Sequence, residues 1–178
     1  LKALRGRVDL SPAIAKAHGK IAWFPSAPLD DWRAAPATVK AADGTEFTTV
    51  PGVFSAGAVD TASELLAAAL PAGAGGTVVD LGAGWGYLSA RLLAKAPGIR
   101  AQHLIESDAR ALACARANVT DPRAVFHWAD ATRPPAGLRA DLVIMNPPFH
   151  QSRAAQPALG AAFIATAAAM LAPGGALW

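Results

Sequence analysis

Two short segments carry the residues whose types and spacing could do chemistry. Asp80–Gly86 reads Asp-Leu-Gly-Ala-Gly-Trp-Gly, and Asn146–Phe149 reads Asn-Pro-Pro-Phe. Each segment follows an apolar run that favours a buried β-strand. A glycine-rich turn lets the backbone approach a ligand closely, and a proline-stiffened turn can hold hydrogen-bond acceptors in fixed positions. The two segments therefore predict a cofactor loop and a substrate clamp.

The glycine-rich segment differs from the fingerprint of NAD-binding proteins. Its glycines are Gly82, Gly84 and Gly86, whereas the NAD pattern would need its third glycine at the position of Tyr87. Asp80, at the end of the strand, would repel a pyrophosphate but suits a cationic ligand such as the ammonium group of a methionine moiety. These residues disfavour a dinucleotide oxidoreductase and favour S-adenosylmethionine as the cofactor.

Two further acids follow neighbouring predicted strands. Glu106 ends the second strand, where a carboxylate can accept two hydrogen bonds from the hydroxyls of a ribose. Asp130 follows the third strand and could bind an adenine amine. Each acid also has a structural interpretation, because Asp80 could be a turn residue, Glu106 a helix cap and Asp130 the first residue of a loop.

The Asn-Pro-Pro-Phe segment predicts a clamp for an exocyclic amine. The side-chain oxygen of Asn146 and the carbonyl of Pro147 can accept hydrogen bonds from both N–H groups of an –NH₂ group, and Pro148 stiffens the turn. Phe149 offers a flat face on which a base can stack, and His150 could line the pocket. The alternative is a proline turn with Phe149 in the core and His150 on the surface.

The elements around these segments alternate between strand, turn and helix from residue 77 onwards. This rhythm predicts an α/β fold with a doubly wound, mostly parallel sheet. The strands are predicted at Thr77–Leu81, Ala101–Glu106, Ala124–Trp128 and Leu142–Met145, with a further strand beginning near the C-terminus, and the helices at Tyr87–Ala96, Asp108–Asn118 and Ala158–Leu171.

The N-terminal part of the chain has a different pattern. Asp43-Gly44, between Thr38–Ala42 and Thr45–Val50, is a strong hairpin signal. A helix is predicted over Val59–Leu70. Leu10–His18 is predicted to form a short helix with Ser11 as its N-cap.

Composition limits the class of protein further. The chain has 178 residues, enough for one α/β domain, and no apolar run is long enough for a membrane span. Its single cysteine suits a cytoplasmic protein. Residues 1–42 carry a net charge of +4 and residues 43–178 a net charge of −1. A basic arm of this kind can contact phosphates or can be a solvated face.

These motifs resemble the class I S-adenosylmethionine-dependent methyltransferases of the N-methylating branch. The resemblance is more specific to the ribosomal RNA guanine-N2 methyltransferases of the RsmC/RlmG type. It is carried by Thr49–Ser55, which reads Thr-Val-Pro-Gly-Val-Phe-Ser, by Val59-Asp60 before a helix, and by Asn146–His150. The similar region runs from about Thr38 to the end of the chain.

The resemblance implies a function and a set of site residues. The enzyme would transfer a methyl group to the exocyclic N2 amine of a guanine in ribosomal RNA of the small subunit, and would release S-adenosylhomocysteine without using a metal. Its partner would be ribosomal RNA or a ribosomal subunit, and the enzyme would be a monomer. The catalytic residues would be Asn146, Pro147 and Phe149; the cofactor would contact Asp80, Gly82, Gly84, Gly86, Glu106, Asp130 and Asn146; and the substrate would contact Pro148, Phe149 and His150.

The resemblance also implies a domain organisation. Residues 1–37 would be the tail of a preceding domain with its linker, and residues 38–178 a methyltransferase domain that is incomplete at its C-terminus. Two alternatives stay open. One is methylation of a protein glutamine or of an adenine, although such enzymes commonly have Tyr at the position of Phe149. The other is a non-catalytic RNA-binding domain that keeps the fold.

Overall fold

The chain divides into two compact units. The computed structural model describes residues 1–32, 35–147 and 157–178. The units are Leu1–Ala34 and Ala35–Trp178. The assignment of residues 1–37 to a preceding domain stays a prediction.

The first unit contains a small antiparallel hairpin, so the helix predicted over Leu10–His18 is wrong. Strand β1 is Ile14–Lys16 and strand β2 is Gly19–Ile21. Ser11 does not cap a helix, because its Oγ accepts a hydrogen bond from the backbone N–H of Trp23 at 2.9 Å and its own N–H donates to the Trp23 carbonyl. These two bonds hold the two arms of the hairpin together.

The second unit begins with the hairpin that the Asp-Gly pair predicted. Strand β3 is Ala37–Lys40, and it pairs antiparallel with β4, Glu46–Thr49. Gly44 in the turn has φ +86°, a backbone conformation that favours glycine. Helix α1 follows at Thr61–Ala69 and is capped by Asp60.

A five-stranded parallel sheet forms the rest of the second unit and confirms the predicted fold class. The strands are β5 Gly75–Leu81, β6 Gly98–Glu106, β7 Ala124–Trp128, β8 Ala140–Met145 and β9 Leu171–Leu177, and the helices are α2 Tyr87–Lys95, α3 Ala109–Asn118 and α4 Pro157–Met170. The strand order is β7-β6-β5-β8-β9, with all neighbours parallel. The chain runs from β5 through β6 to β7 on one side and then returns to β8 and β9 on the other side of β5. The strand order therefore reverses at β5, and ligands of open α/β sheets bind at such a reversal.

The sheet is buried on both faces by two apolar cores. One core joins β5 and β6 to helices α2 and α3 and includes the fully buried Val78, Leu92 and Leu104. The other core lies on the opposite face and includes Phe163 and Met170 of α4. No helix in the described ranges is long and apolar enough to cross a membrane.

Candidate cofactor and substrate site

The glycine-rich loop connects the carboxyl end of β5 to the first turn of α2. The backbone N–H of Gly84 donates a hydrogen bond of 2.8 Å to Oε2 of Glu106. Gly84 has φ +55°, and a Cβ atom at this position would meet nothing within 4 Å. The loop therefore turns its backbone towards open space at this point.

Gly86 ends the loop, and close packing against α3 favours glycine at this position. It is the N-cap of α2, with φ +87°. A Cβ atom here would lie 2.9 Å from Cγ2 of Val119 and 3.2 Å from Cβ of Ala115. Glycine at this position therefore allows α2 to start close against α3.

Asp80 lies beneath the loop, fully buried. Its Oδ2 accepts a 2.7 Å hydrogen bond from the hydroxyl of Ser89, which in turn accepts one from Nε2 of Gln102 at 2.7 Å. Its Oδ1 has no hydrogen-bond partner among the described residues. Burial raises the pKa of Asp80 to about 7, and the neighbouring charge of Glu106 adds to the effect. A direct contact of Asp80 with the cofactor stays a prediction.

Glu106 holds the loop and the start of the next helix together. Besides accepting from Gly84, its carboxylate accepts a 2.7 Å bond at Oε1 from the N–H of Asp108. Asp108, and not Glu106, is the side-chain cap of α3. Ribose binding by Glu106 stays a prediction.

Asp130 follows β7 at the same edge of the sheet, as the sequence predicted. Its Oδ1 accepts hydrogen bonds from the backbone N–H and the hydroxyl of Thr132, both at 2.8 Å. These bonds lower the pKa of Asp130. No hydrogen bond joins Asp130 to the glycine loop within the part of the chain that the structure describes, and its role at an adenine stays a prediction.

Asn146 lies directly after β8 and is held by two residues from the start of α1. Its Nδ2 donates to Oδ2 of Asp60 at 2.8 Å and to Oγ of Ser63 at 2.9 Å. Pro147, the next residue, is buried. The predicted substrate residues Pro148, Phe149 and His150 lie outside the described residues.

A cavity brings the glycine loop and the start of the clamp together. Gly82, Gly84 and Asn146 all line it, and Phe54, whose side chain is 61 % exposed, lies at its wall. Asp80, Gly86, Glu106 and Asp130 are not among its lining residues. The full lining is Phe54, Ser55, Asp60, Ser63, Gly82, Ala83, Gly84, Trp85, Tyr87, Leu88 and Asn146.

Sequence reasoning missed several residues that hold this site in place. Trp85 donates from Nε1 to the carbonyl of Phe54 at 3.0 Å, and its ring packs against Phe47. Asn118 donates to the carbonyls of Trp85 and Thr48 at 2.8 Å, and accepts from the Thr48 N–H at 2.7 Å. The β3–β4 hairpin and the glycine loop are thereby joined through Asn118. The sequence pointed to Asp60 through the Val59-Asp60 pair, which carries part of the family resemblance. No sequence pattern pointed to Asn118.

The parallel sheet, the glycine loop after its central strand and the Asn-Pro segment after β8 define the class I, Rossmann-like methyltransferase fold. Residues 44–178 match the family described as the methyltransferase small domain, and the chain belongs to this family. The predicted family resemblance is therefore confirmed.

Relatives and solved structures agree with this assignment. The ribosomal RNA large subunit methyltransferase G of Shewanella amazonensis is 35 % identical over 75 % of this chain and 36 % of its own length. The ribosomal RNA small subunit methyltransferase C of Salmonella paratyphi B is 32 % identical over 81 % of this chain and 41 % of its own length. The chain thus spans well under half of these relatives.

A solved structure covers nearly the whole chain. The T. thermophilus 16S rRNA N2 methyltransferase RsmC, in complex with AdoMet and guanosine, matches 99 % of this chain and 50 % of its own length, with a TM-score of 0.69 and 28 % identity. Trm5b from Pyrococcus abyssi, at 16 % identity and a TM-score of 0.58, shows the fold alone.

Proposed function

We propose that this chain is the S-adenosylmethionine-binding part of an enzyme that methylates the exocyclic N2 amine of a guanine in ribosomal RNA. The observation that carries the proposal is the amide of Asn146. Both of its N–H groups are engaged by Asp60 and Ser63, which leaves its oxygen as an acceptor beside the glycine loop. An acceptor fixed at this place suits an amine substrate.

The residues of the loop fit the proposed cofactor. The backbone at Gly84 faces open space, and a Cβ atom would intrude there. The Glu106 carboxylate lies 2.8 Å from this backbone and can accept further hydrogen bonds from a diol, since each carboxylate oxygen has two lone pairs. Gly82, Gly84, Glu106 and Asp130 would hold the cofactor, and the buried charge of Asp80 would act on its ammonium group.

The chain's own residues position and polarise the amine. When bound, S-adenosylmethionine would supply an electrophilic sulfonium methyl group for transfer to the amine nitrogen, with the C–S electron pair remaining on sulfur. Oδ1 of Asn146 and the carbonyl of Pro147 would each accept a hydrogen bond from one N–H of the –NH₂ group, which turns the nitrogen lone pair towards the methyl carbon. They would also stabilise the positive charge that develops on nitrogen, and the proton would then leave to water.

Phe149 would stack on the base, with Pro148 and His150 beside it. The target guanine must be unstacked to enter such a pocket. The proposal needs no general base and no metal.

The first experiment tests the cofactor. Calorimetry should show binding of S-adenosylmethionine and no binding of NAD⁺. Binding of NAD⁺ alone would overturn the proposal and return the chain to the oxidoreductase class.

The second experiment tests the substrate. The protein is incubated with labelled S-adenosylmethionine and with small or large ribosomal subunits, each also as protein-free RNA, and the nucleosides are separated by mass spectrometry. We expect N2-methylguanosine in the small-subunit RNA, which the structural similarity to RsmC supports. Labelled guanine in the large-subunit RNA would instead favour the specificity named for the large subunit methyltransferase G relatives. Labelled adenine, or label found in ribosomal protein and absent from the nucleosides, would overturn guanine as the target.

The Asn146→Ala variant provides the matched test of the clamp. It should bind S-adenosylmethionine as the wild type does, but its methyl transfer should fall below detection because the amine loses an acceptor. Retained methyl transfer would contradict the proposed role of Asn146 in the substrate clamp. The proposal also includes a cytoplasmic location, since the substrate would be ribosomal RNA, and a monomeric enzyme.

A further inference from the structure

Asp60 contacts two different elements through one oxygen atom. Its Oδ2 accepts a hydrogen bond from the backbone N–H of Ser63 at 2.9 Å, which caps helix α1. The same oxygen accepts from Nδ2 of Asn146 at 2.8 Å, across 86 positions of sequence. Asp60 therefore joins the start of α1 to the residue that follows β8.

These contacts decide which way the Asn146 amide faces. A carboxylate can only accept hydrogen bonds, so it binds the NH₂ end of an amide and repels the oxygen end. The hydroxyl of Ser63 takes the second N–H at 2.9 Å. With both N–H groups engaged, Oδ1 is the amide atom left for a ligand, and no group among the described residues donates to it.

We propose that Asp60, assisted by Ser63, is a positioning residue that sets the Asn146 amide so that its oxygen faces the amine substrate. The proposal rests on the proposed function, because the value of a fixed acceptor depends on a substrate that donates. Without Asp60 the Asn146 amide could rotate and turn its NH₂ group towards the substrate amine. Two hydrogen-bond donors would then face each other, and no hydrogen bond could form.

A test must separate this role from the capping of α1. Asp, Asn and Ser are all good N-cap residues, so Asp60→Asn and Asp60→Ser should both keep the helix. Asp60→Asn keeps a side-chain oxygen at the same distance from the backbone as Oδ2, so it can still accept from Asn146. Ser is one atom shorter, so its hydroxyl can cap the helix but cannot reach Asn146 as well.

The expected kinetic result follows from this difference. Asp60→Ser should lower kcat by about 10- to 100-fold, the range expected for losing a hydrogen bond to a charged partner. Its KM for S-adenosylmethionine and its midpoint of urea unfolding should stay close to the wild-type values. Asp60→Asn should restore most of kcat, and Ser63→Ala should have a smaller effect because Asp60 still binds Nδ2.

A readout independent of activity is the side-chain amide of Asn146 in proton–nitrogen NMR spectra. In the wild type and in Asp60→Asn, these protons should exchange slowly with water, and in Asp60→Ser they should exchange fast. Glu64→Gln is the matched control, because it removes the other carboxylate of the first turn of α1 without contacting Asn146.

The outcomes separate the two proposals. Equal kcat in the Ser and Asn variants would overturn the positioning role, since it would leave only the shared capping role. Unchanged exchange of the Asn146 amide in Asp60→Ser would overturn it as well. If the exchange rates change as expected while the wild type methylates no RNA, the orientation by Asp60 holds and the proposed function fails.

Discussion

Asp80 provides a quantitative prediction, because a fully buried carboxyl group must change the stability of the fold with pH. Its side chain is 0 % exposed, and only Ser89 donates a hydrogen bond to it among the described residues. The perturbation is Asp80→Asn, which has nearly the same shape but does not ionise. Ser89 can still donate to the amide oxygen of the new residue.

The magnitude follows from the shift in pKa. Burial raises the pKa of Asp80 from 3.8 to about 7 in the folded state. Below about pH 4 the carboxyl is protonated in both states and has no pH-dependent cost. As the pH rises, the unfolded chain ionises first, so folding stability is lost up to about pH 7. At about 1.4 kcal/mol for each pH unit, the loss is about 4 kcal/mol.

The assay compares urea unfolding of the wild type and of Asp80→Asn across this pH range, followed by tryptophan fluorescence. The free energy of unfolding of the variant, relative to the wild type, should rise by about 4 kcal/mol from about pH 4 to about pH 8. Any constant cost of the substitution cancels, because only the change with pH is compared. Titrating groups that do not interact with Asp80 are the same in both proteins and cancel too, whereas the coupling between Asp80 and Glu106 is part of the measured difference.

Asp130→Asn is the control, and its effect should have the opposite sign. Hydrogen bonds from Thr132 lower the pKa of this exposed carboxyl, so ionised Asp130 stabilises the fold above about pH 4 and Asp130→Asn loses that small contribution. Parallel stability curves for the wild type and Asp80→Asn would refute the reasoning, since Asp80 would then ionise normally in the folded protein.

Two further predictions concern packing and a pair of histidines. Gly86→Ala should destabilise the fold by about 2–4 kcal/mol through its positive φ and its contact with Val119, whereas Gly84→Ala, with open space around it, should cost only about 1–2 kcal/mol; equal losses in urea unfolding would contradict the packing argument. The rings of His103 and His127 stack, and Nδ1 of His103 lies 2.9 Å from Nε2 of His127. Burial lowers the pKa of both histidines. The fold therefore favours the neutral form of both rings, and the contribution of this pair to stability should fall as the pH drops below about 6.5, opposite in sign to the contribution of Asp80. The free energy of unfolding of His127→Gln, relative to the wild type, should rise as the pH drops below about 6.5, and a difference that does not change with pH would contradict the argument.

The core of the fold could be predicted because its signals are local. Buried strands read as short apolar runs, and α2 and α3 have clear starts after Gly86 and at Asp108. The hairpin of the first unit could not be predicted in this way. Its turn residues, Ala17 and His18, have φ +48° and +63° without the Asn-Gly or Asp-Gly signal that such turns usually show.

The sequence predicted where the acids and glycines of the candidate site lie relative to the strands, but not their contacts. The acids and glycines were predicted from their places after strands. That Asp80 is bonded to Ser89 beneath the loop depends on which way the side chain leaves the sheet, which the residue type does not encode. The bonds from Asp60 and Ser63 to Asn146 join distant parts of the chain, so no local pattern could reveal them.

The contacts of Asn118 bear on how this domain could be moved between proteins. The family match begins at residue 44, inside the turn of the β3–β4 hairpin. A transplant cut there would delete β3, with its buried Val39, and leave β4 with an unpaired edge. Since Asn118 joins β4 to Trp85 in the glycine loop, the loss would also disturb the candidate cofactor site. The smallest part that can be transferred to another protein therefore starts at about Ala35. The β3–β4 hairpin must be transferred together with the glycine loop that it supports.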